Sequence, residues 1–153
     1  MSLVSYLDEQ RVPFQTILHP PAFTAQRRAK YLRVSGHYVA RAVLLHGPEG
    51  FFLAVLPATY RVDLPALTQF FGGPVRLAHR DETARHFRDC EWGVVSPFGN
   101  RYGLLTLIDS SVPTDTWIFL EGGTHVEAVL LHGSDFERLS GSFRFPFTRR
   151  DSA

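Results

Sequence analysis

Apolar and polar residues change their period several times along this chain, and the changes mark out short elements. Val4 to Gln10 reads as a helix, and Phe14 to Leu18 as a strand ended by His19-Pro20-Pro21, where paired prolines hold an extended turn. Thr24 is an N-cap for a helix to about Arg33, with Ala25, Ala29 and Leu32 as its inner stripe, and Gly36 closes that unit. Strands at 38–45 and 51–56 are joined by His46-Gly47-Pro48-Glu49-Gly50, a hairpin-type connection. Asp63 caps a helix over Leu64 to Phe71, with Pro65 in its first turn and Gly72 as its C-cap. Val75 to Ala78 is a short strand and Asp81 to Phe87 a short helix. Strands then dominate: Trp92 to Val95, Leu104 to Ile108, Trp117 to Leu120 and His125 to His132, before a capping box, Ser134 to Glu137, opens a last helix. Helices early and strands late, at hairpin spacing, predict an α+β domain with a mixed or antiparallel sheet rather than a βαβ repeat.

One strand carries a misfit. In Val39-Ala40-Arg41-Ala42-Val43-Leu44-Leu45, alternation places Arg41 on the same face as Val39, Val43 and Leu45. A guanidinium on an apolar face needs a partner. A buried ion pair with Asp109 or Glu121 would satisfy it, and so would an anionic substrate in a cleft.

At 153 residues, 44% hydrophobic and 20% charged, the chain has the composition of one soluble globular domain. A net charge of +1 argues against a general nucleic-acid coat and leaves only a local basic patch for such contacts. The single cysteine, Cys90, allows no internal disulfide, and with no signal peptide or membrane-length apolar run a cytoplasmic protein is expected. A monomer is the default expectation.

Several positions carry candidate chemistry. In Gly93-Val94-Val95-Ser96-Pro97-Phe98 the glycine lets backbone approach a ligand, and the proline sets the loop's shape and removes a donor. Such a loop suits a developing oxyanion or a sugar edge, and it also fits an ordinary turn between strands. Arg27, Arg28, Lys30 and Arg33 lie at helical spacing and form the best footprint for phosphates; a solvated helix face has the same pattern. Asp109, at the end of an apolar strand, suits a ribose hydroxyl, an ammonium group or Arg41, and equally a turn into Ser110-Ser111. Gly122-Gly123-Thr124-His125 is a turn that either lines the same cleft or closes a plain hairpin. The seven histidines show no HExxH and no paired spacing with carboxylates, so a metal site is not expected. Cys90 reads as a small core residue rather than a nucleophile. The tail, Ser142 to Arg150, places phenylalanine on alternate positions, as an added strand or as an aromatic-basic arm that stacks bases.

Taken in order, His19-Pro20-Pro21-Ala22-Phe23-Thr24, Val39-Ala40-Arg41-Ala42-Val43, Ala54-Val55-Leu56-Pro57, Val62-Asp63-Leu64, Cys90-Glu91-Trp92-Gly93-Val94-Val95-Ser96-Pro97-Phe98-Gly99, Leu107-Ile108-Asp109 and Glu121-Gly122-Gly123-Thr124-His125 resemble the YbaK/prolyl-tRNA-synthetase-associated domain. The likeness runs from about Ser5 to Leu139. It implies one α+β domain over 1–141 with a bifurcated, largely antiparallel mixed sheet and short flanking helices, followed by a Phe/Arg-rich tail over 142–153. It also implies trans-acting, metal-independent hydrolysis of an amino acid wrongly esterified to tRNA, a cofactor-free reaction aided by the terminal ribose hydroxyl, with an aminoacyl-tRNA synthetase as a possible partner.

On that resemblance, Arg41, Gly93 and Pro97 are expected at the reacting ester. Phe23, Thr24, Ser96, Phe98, Asp109, Gly122, Gly123 and His125 are expected around the substrate, and Arg27, Arg28 and Lys30 on the tRNA backbone. The family pattern carries lysine where this chain has Arg41, and often a hydroxyl residue where it has Ala42. Arginine cannot shuttle a proton. Those two departures define the alternative: a catalytically degenerate module that binds tRNA ends or a nucleotide. A small-molecule esterase unrelated to tRNA is a third reading.

Overall fold

The computed structural model describes residues 2–150. Its elements are α1 (Leu3–Glu9), β1 (Phe14–Leu18), α2 (Ala25–Leu32), β2 (Ala40–Gly47), β3 (Gly50–Pro57), β4 (Tyr60–Val62), α3 (Leu64–Phe71), β5 (Arg76–Leu77), α4 (Arg80–His86), β6 (Leu105–Asp109), β7 (Trp117–Glu121), β8 (Glu127–His132), α5 (Gly133–Ser140), β9 (Phe143–Phe145) and β10 (Thr148–Arg150). No helix among the described residues is long and apolar enough to cross a membrane.

A five-stranded sheet in the order β5-β2-β3-β6-β9 forms the centre. The β2–β3 hairpin is antiparallel from Ala40↔Pro57 to Gly47↔Gly50, whereas β3–β6 and β6–β9 are parallel. An antiparallel sheet, β1-β8-β7, joins it through a single bridge, Val39↔Phe119, so the strands fork at the start of β2. The expected forked, mixed α+β architecture is the one observed.

Apolar residues occupy both faces of β3, which is why its sequence reads as a continuous apolar run rather than an alternation. Leu53 and Val55 pack into one core with Leu44, Val95, Phe98, Ile108 and Phe136. Phe52, Ala54 and Leu56 pack into another with Leu45, Leu67, Leu107 and Phe147. Period two therefore sends Ala42 and Leu44 of β2 to the first core, and Arg41, Val43 and Leu45 to the second.

Two of the three helix N-caps read from the sequence are present, with the Thr24 side chain accepting from Arg27 N–H and Asp63 from Ala66 N–H. Two expectations fail. Trp92 to Val95 is not a strand, because Val94 N–H bonds the nearby Glu91 carbonyl, Val95 N–H bonds the Glu121 side chain rather than a neighbouring strand, and Gly93 sits at φ +88°. The last helix is capped by His132, whose Nδ1 accepts from Ser134 N–H, and not by a box at Ser134. Strand β4 is three residues long and exists because β10 pairs with it, a contact no local pattern reveals.

The tail packs. Phe143–Phe145 extends the central sheet beside β6, and Phe147 is buried. Arg144 fastens this segment by donating to the carbonyls of Asp109, Ser110 and Val112 and to the Glu137 carboxylate. Residues 151–153 of the tail lie outside the described residues.

Candidate active site

A cleft of about 640 Å³ opens between β2, the β5–α4 segment and the loop around Gly93. Its apolar wall is Ala42, Leu44, Leu77, Ala78 and Val95. Arg80 and Thr83 enter from α4, Glu91 and His125 from the opposite side, and Phe23 and Trp92 stand at the mouth with 75% and 61% of their surface exposed. The Arg80 guanidinium lies 6.0 Å from the Trp92 ring centre. Exposed aromatic faces beside a cation suit a nucleobase and its phosphate.

The loop is held in one shape by three bonds. Val94 N–H donates to the Glu91 carbonyl at 2.9 Å, and Val95 N–H to Glu121 Oε2 at 3.0 Å. His125 Nε2–H donates to the Trp92 carbonyl at 2.9 Å, which places the ring proton on Nε2. That carbonyl belongs to the peptide ending in Gly93 N–H. In a trans peptide the two groups point opposite ways, so His125 fixes the direction of the Gly93 N–H by gripping the other end of the same plane. Gly93 N–H has no protein acceptor among the described residues. The φ of +88° makes glycine the fitting residue here; a Cβ would meet the His125 ring only at an ordinary 3.7 Å.

His125 is in turn buttressed. Its ring lies 4.5 Å from that of Phe23, and Glu91 Oε1 is 3.7 Å from Nε2. Behind the loop, Glu121 accepts from Arg28 Nη1 at 3.3 Å. Burial pushes the Glu121 carboxyl above its usual pKa, against the opposing pull of Arg28 and the Val95 N–H.

A family model for the aminoacyl-tRNA editing domain matches residues 19–139. The chain belongs to that family.

Solved structures repeat the fold of this editing domain. A hypothetical protein superposes with a TM-score of 0.85 at 16% identity, covering 96% of this chain and 99% of its own. A candidate trans-editing enzyme for prolyl tRNA synthetase gives 0.78 at 20% identity, over 91% of this chain and 87% of that one. A candidate signal transduction protein from Marinobacter aquaeolei VT8 gives 0.74 at 20% identity, over 95% of this chain but 30% of its own. No curated protein matches the chain.

Within the editing domain, the residues expected from sequence divide. Phe23, Gly93 and His125 converge on the cleft. Ser96, Gly122 and Gly123 line a separate hollow of about 370 Å³ beside Cys90, Arg101 and Tyr102. Arg41 does not join the loop. It lies on the other face of the sheet, its Nη2 donating to the Tyr60 carbonyl at 2.7 Å, while its neighbour Ala42 faces the cleft. Neither expected carboxylate is among its described partners, because Glu121 holds Arg28 and Val95, and Asp109 holds Phe147 and Ser111.

Four further expectations need correction. Asp109 is buried and serves the tail and its own turn rather than a substrate. Phe98 is wholly buried between Tyr6 and Phe136, not on a pocket wall, and Pro97 is buried too. Thr24 is occupied as a helix cap. Arg28 is 1% exposed and cannot meet a phosphate, whereas Arg27 and Lys30 on α2 remain exposed.

Sequence reasoning passed over Trp92, Glu91, Arg80 and Thr83. The first two adjoin Gly93 in the same motif and were within reach of that signal. Arg80 and Thr83 enter only because β5 docks α4 beside β2, with Ala78 N–H donating to the Leu44 carbonyl.

Proposed function

We infer that this editing domain hydrolyses the ester of a mischarged aminoacyl-tRNA, acting in trans on the tRNA 3′ end. The observation that supports this most is the Gly93 N–H, without an acceptor among the described residues and fixed in direction by the His125 bond to its own peptide, in a loop that lines a cleft with an apolar wall and an aromatic mouth.

Adenine of the terminal nucleotide stacks at Trp92 and Phe23, and the Arg80 guanidinium meets its phosphate. The aminoacyl side chain enters toward Ala42, Leu44 and Val95, and its α-ammonium group faces Glu91. Water adds to the ester carbonyl, Gly93 N–H donates to the oxyanion as it forms, and collapse expels the ribose oxygen, which takes a proton and leaves the free amino acid. An ester is activated already, so positioning and one or two preorganised donors lower its barrier substantially. Arg27 and Lys30 on the outer face of α2 contact the acceptor-stem backbone.

The test is release of amino acid from a panel of mischarged tRNAs, each with its correctly charged counterpart. Selective release from at least one supports the reading. Absence of turnover on all of them, at enzyme in excess of tRNA, overturns it.

A further inference from the structure

The loop that carries Gly93 is anchored on its far side by a carboxylate whose two oxygens do different work. Glu121, the last residue of β7, accepts Val95 N–H on Oε2 at 3.0 Å and Arg28 Nη1 on Oε1 at 3.3 Å. The Arg28 side chain is 2% exposed and that of Glu121 16%. Arg28 Nε has no hydrogen-bond partner among the described residues, so Glu121 is the anion that holds this buried cation. One carboxylate thus ties the loop to α2, the helix that starts directly after Phe23.

A buried pair of this kind is weak evidence for stability, since an apolar pair of similar volume often serves as well. Its geometry is specific in another way. A carboxylate fixed by a guanidinium has one oxygen left in a set direction, and that direction receives Val95 N–H. With Trp92 C=O gripped by His125 and Val95 N–H gripped by Glu121, the two residues on either side of the Gly93–Val94 peptide are both clamped. Remove the Glu121 clamp and the loop turns about the remaining one, so that Gly93 N–H loses its aim.

We propose that Arg28 and Glu121 are a positioning pair for the oxyanion donor: Arg28 orients Glu121, Glu121 holds Val95 N–H, and the held loop presents Gly93 N–H to the ester. Neither residue touches the substrate. The proposal rests on the hydrolytic reading of the cleft, but its first readout does not need turnover.

The experiment compares the full-length parent with Glu121→Gln, Arg28→Met, Arg28→Lys and the Arg28→Met/Glu121→Gln double variant. Amide hydrogen exchange and ¹⁵N shifts are measured across residues 92–96, with Val43 and Val55 of the central hairpin as controls. Kinetics on any mischarged tRNA that the parent deacylates are measured in parallel. In Glu121→Gln and Arg28→Met, exchange at Val95 rises by about tenfold or more beyond whatever rise the loss of global stability produces at the controls, as loss of a charge-assisted bond requires. There kcat falls about ten- to a hundredfold with KM within threefold, and Arg28→Lys recovers most of kcat. The double variant, which leaves no buried charge unpaired, regains thermal stability but not kcat. Unchanged shifts and exchange at 92–96 overturn the pairing, as does kcat that follows stability alone in the double variant. A parent inactive on every tRNA sinks the hydrolytic reading, and the exchange data then still decide whether the pair holds the loop.

Discussion

Asp109 Oδ1 accepts the backbone N–H of Phe147 at 2.9 Å, thirty-eight positions along the chain. Its other oxygen accepts from Ser111 N–H at 3.0 Å and from the Ser111 hydroxyl. A carboxylate at a strand end invites a catalytic reading. Here it closes a turn and docks the last strands instead. Asp109→Asn turns one of the two acceptor oxygens into a donor, so either Phe147 N–H or Ser111 N–H loses its partner, and the substitution is expected to cost about 1.5–3 kcal/mol. A thermal melt is expected to show a fall of several degrees. On any mischarged tRNA the parent deacylates, the folded variant should keep the parent's KM; a raised KM with an unchanged melt would return Asp109 to the substrate.

Gly93 tests the loop directly. Gly93→Ala meets no steric block, but it places a Cβ at φ +88°, at a cost of roughly 1–2 kcal/mol that the loop relieves by turning. That turn moves the Gly93 N–H. Deacylation is expected to drop about tenfold or more in kcat, with the fold kept. His125→Ala frees the Trp92 carbonyl and is expected to produce the same loss through the same peptide. Single-turnover rates on saturating tRNA check both.

Arg41 faces the second core, so its contribution is to stability. Loss of the bond to the Tyr60 carbonyl in Arg41→Ala is expected to cost about 1.5–3 kcal/mol, with Arg41→Lys milder. For the folded fraction, kcat/KM is expected to stay within a few fold of the parent. A hundredfold loss in a fully folded Arg41→Ala would place the guanidinium at the ester after all.

On α2, position rather than charge decides. Arg27→Ala and Lys30→Ala, both exposed, are expected each to lower the slope of log affinity for tRNA against log salt by about 1. Arg28→Met leaves Glu121 unpaired and is expected to cost roughly 3–5 kcal/mol of stability. Filter binding over a salt series, beside denaturant titration, separates the two.

Cys90 is the chain's one thiol, and burial pushes its pKa up to about 11. Tyr102 contacts its sulfur and donates to Asp89, with the Tyr102 hydroxyl also raised. A raised thiol pKa means less thiolate at any pH below it, so alkylation is expected to be slow at pH 7–8 and to accelerate as pH rises toward 11. A rate against pH with a midpoint near 8 would contradict this environment.

Local chemistry determined much of this protein. Thr24 and Asp63 capped the helices that their hydroxyl and carboxylate implied, Gly93 marked a backbone bend, and paired prolines ended β1, because caps, φ preferences and missing N–H groups act within a few residues. Phe23, Gly93 and His125, which line the cleft, were singled out from short ordered motifs. Tertiary structure decided the destinations of Arg41, Arg28 and Asp109. Each is a charged group beside apolar neighbours, and alternation or helical spacing gives its face but not what that face meets. A group that meets each one comes from a distant part of the chain, the Tyr60 carbonyl for Arg41, Glu121 for Arg28 and the Phe147 N–H for Asp109. Such pairings depend on chain crossings that the local pattern does not encode.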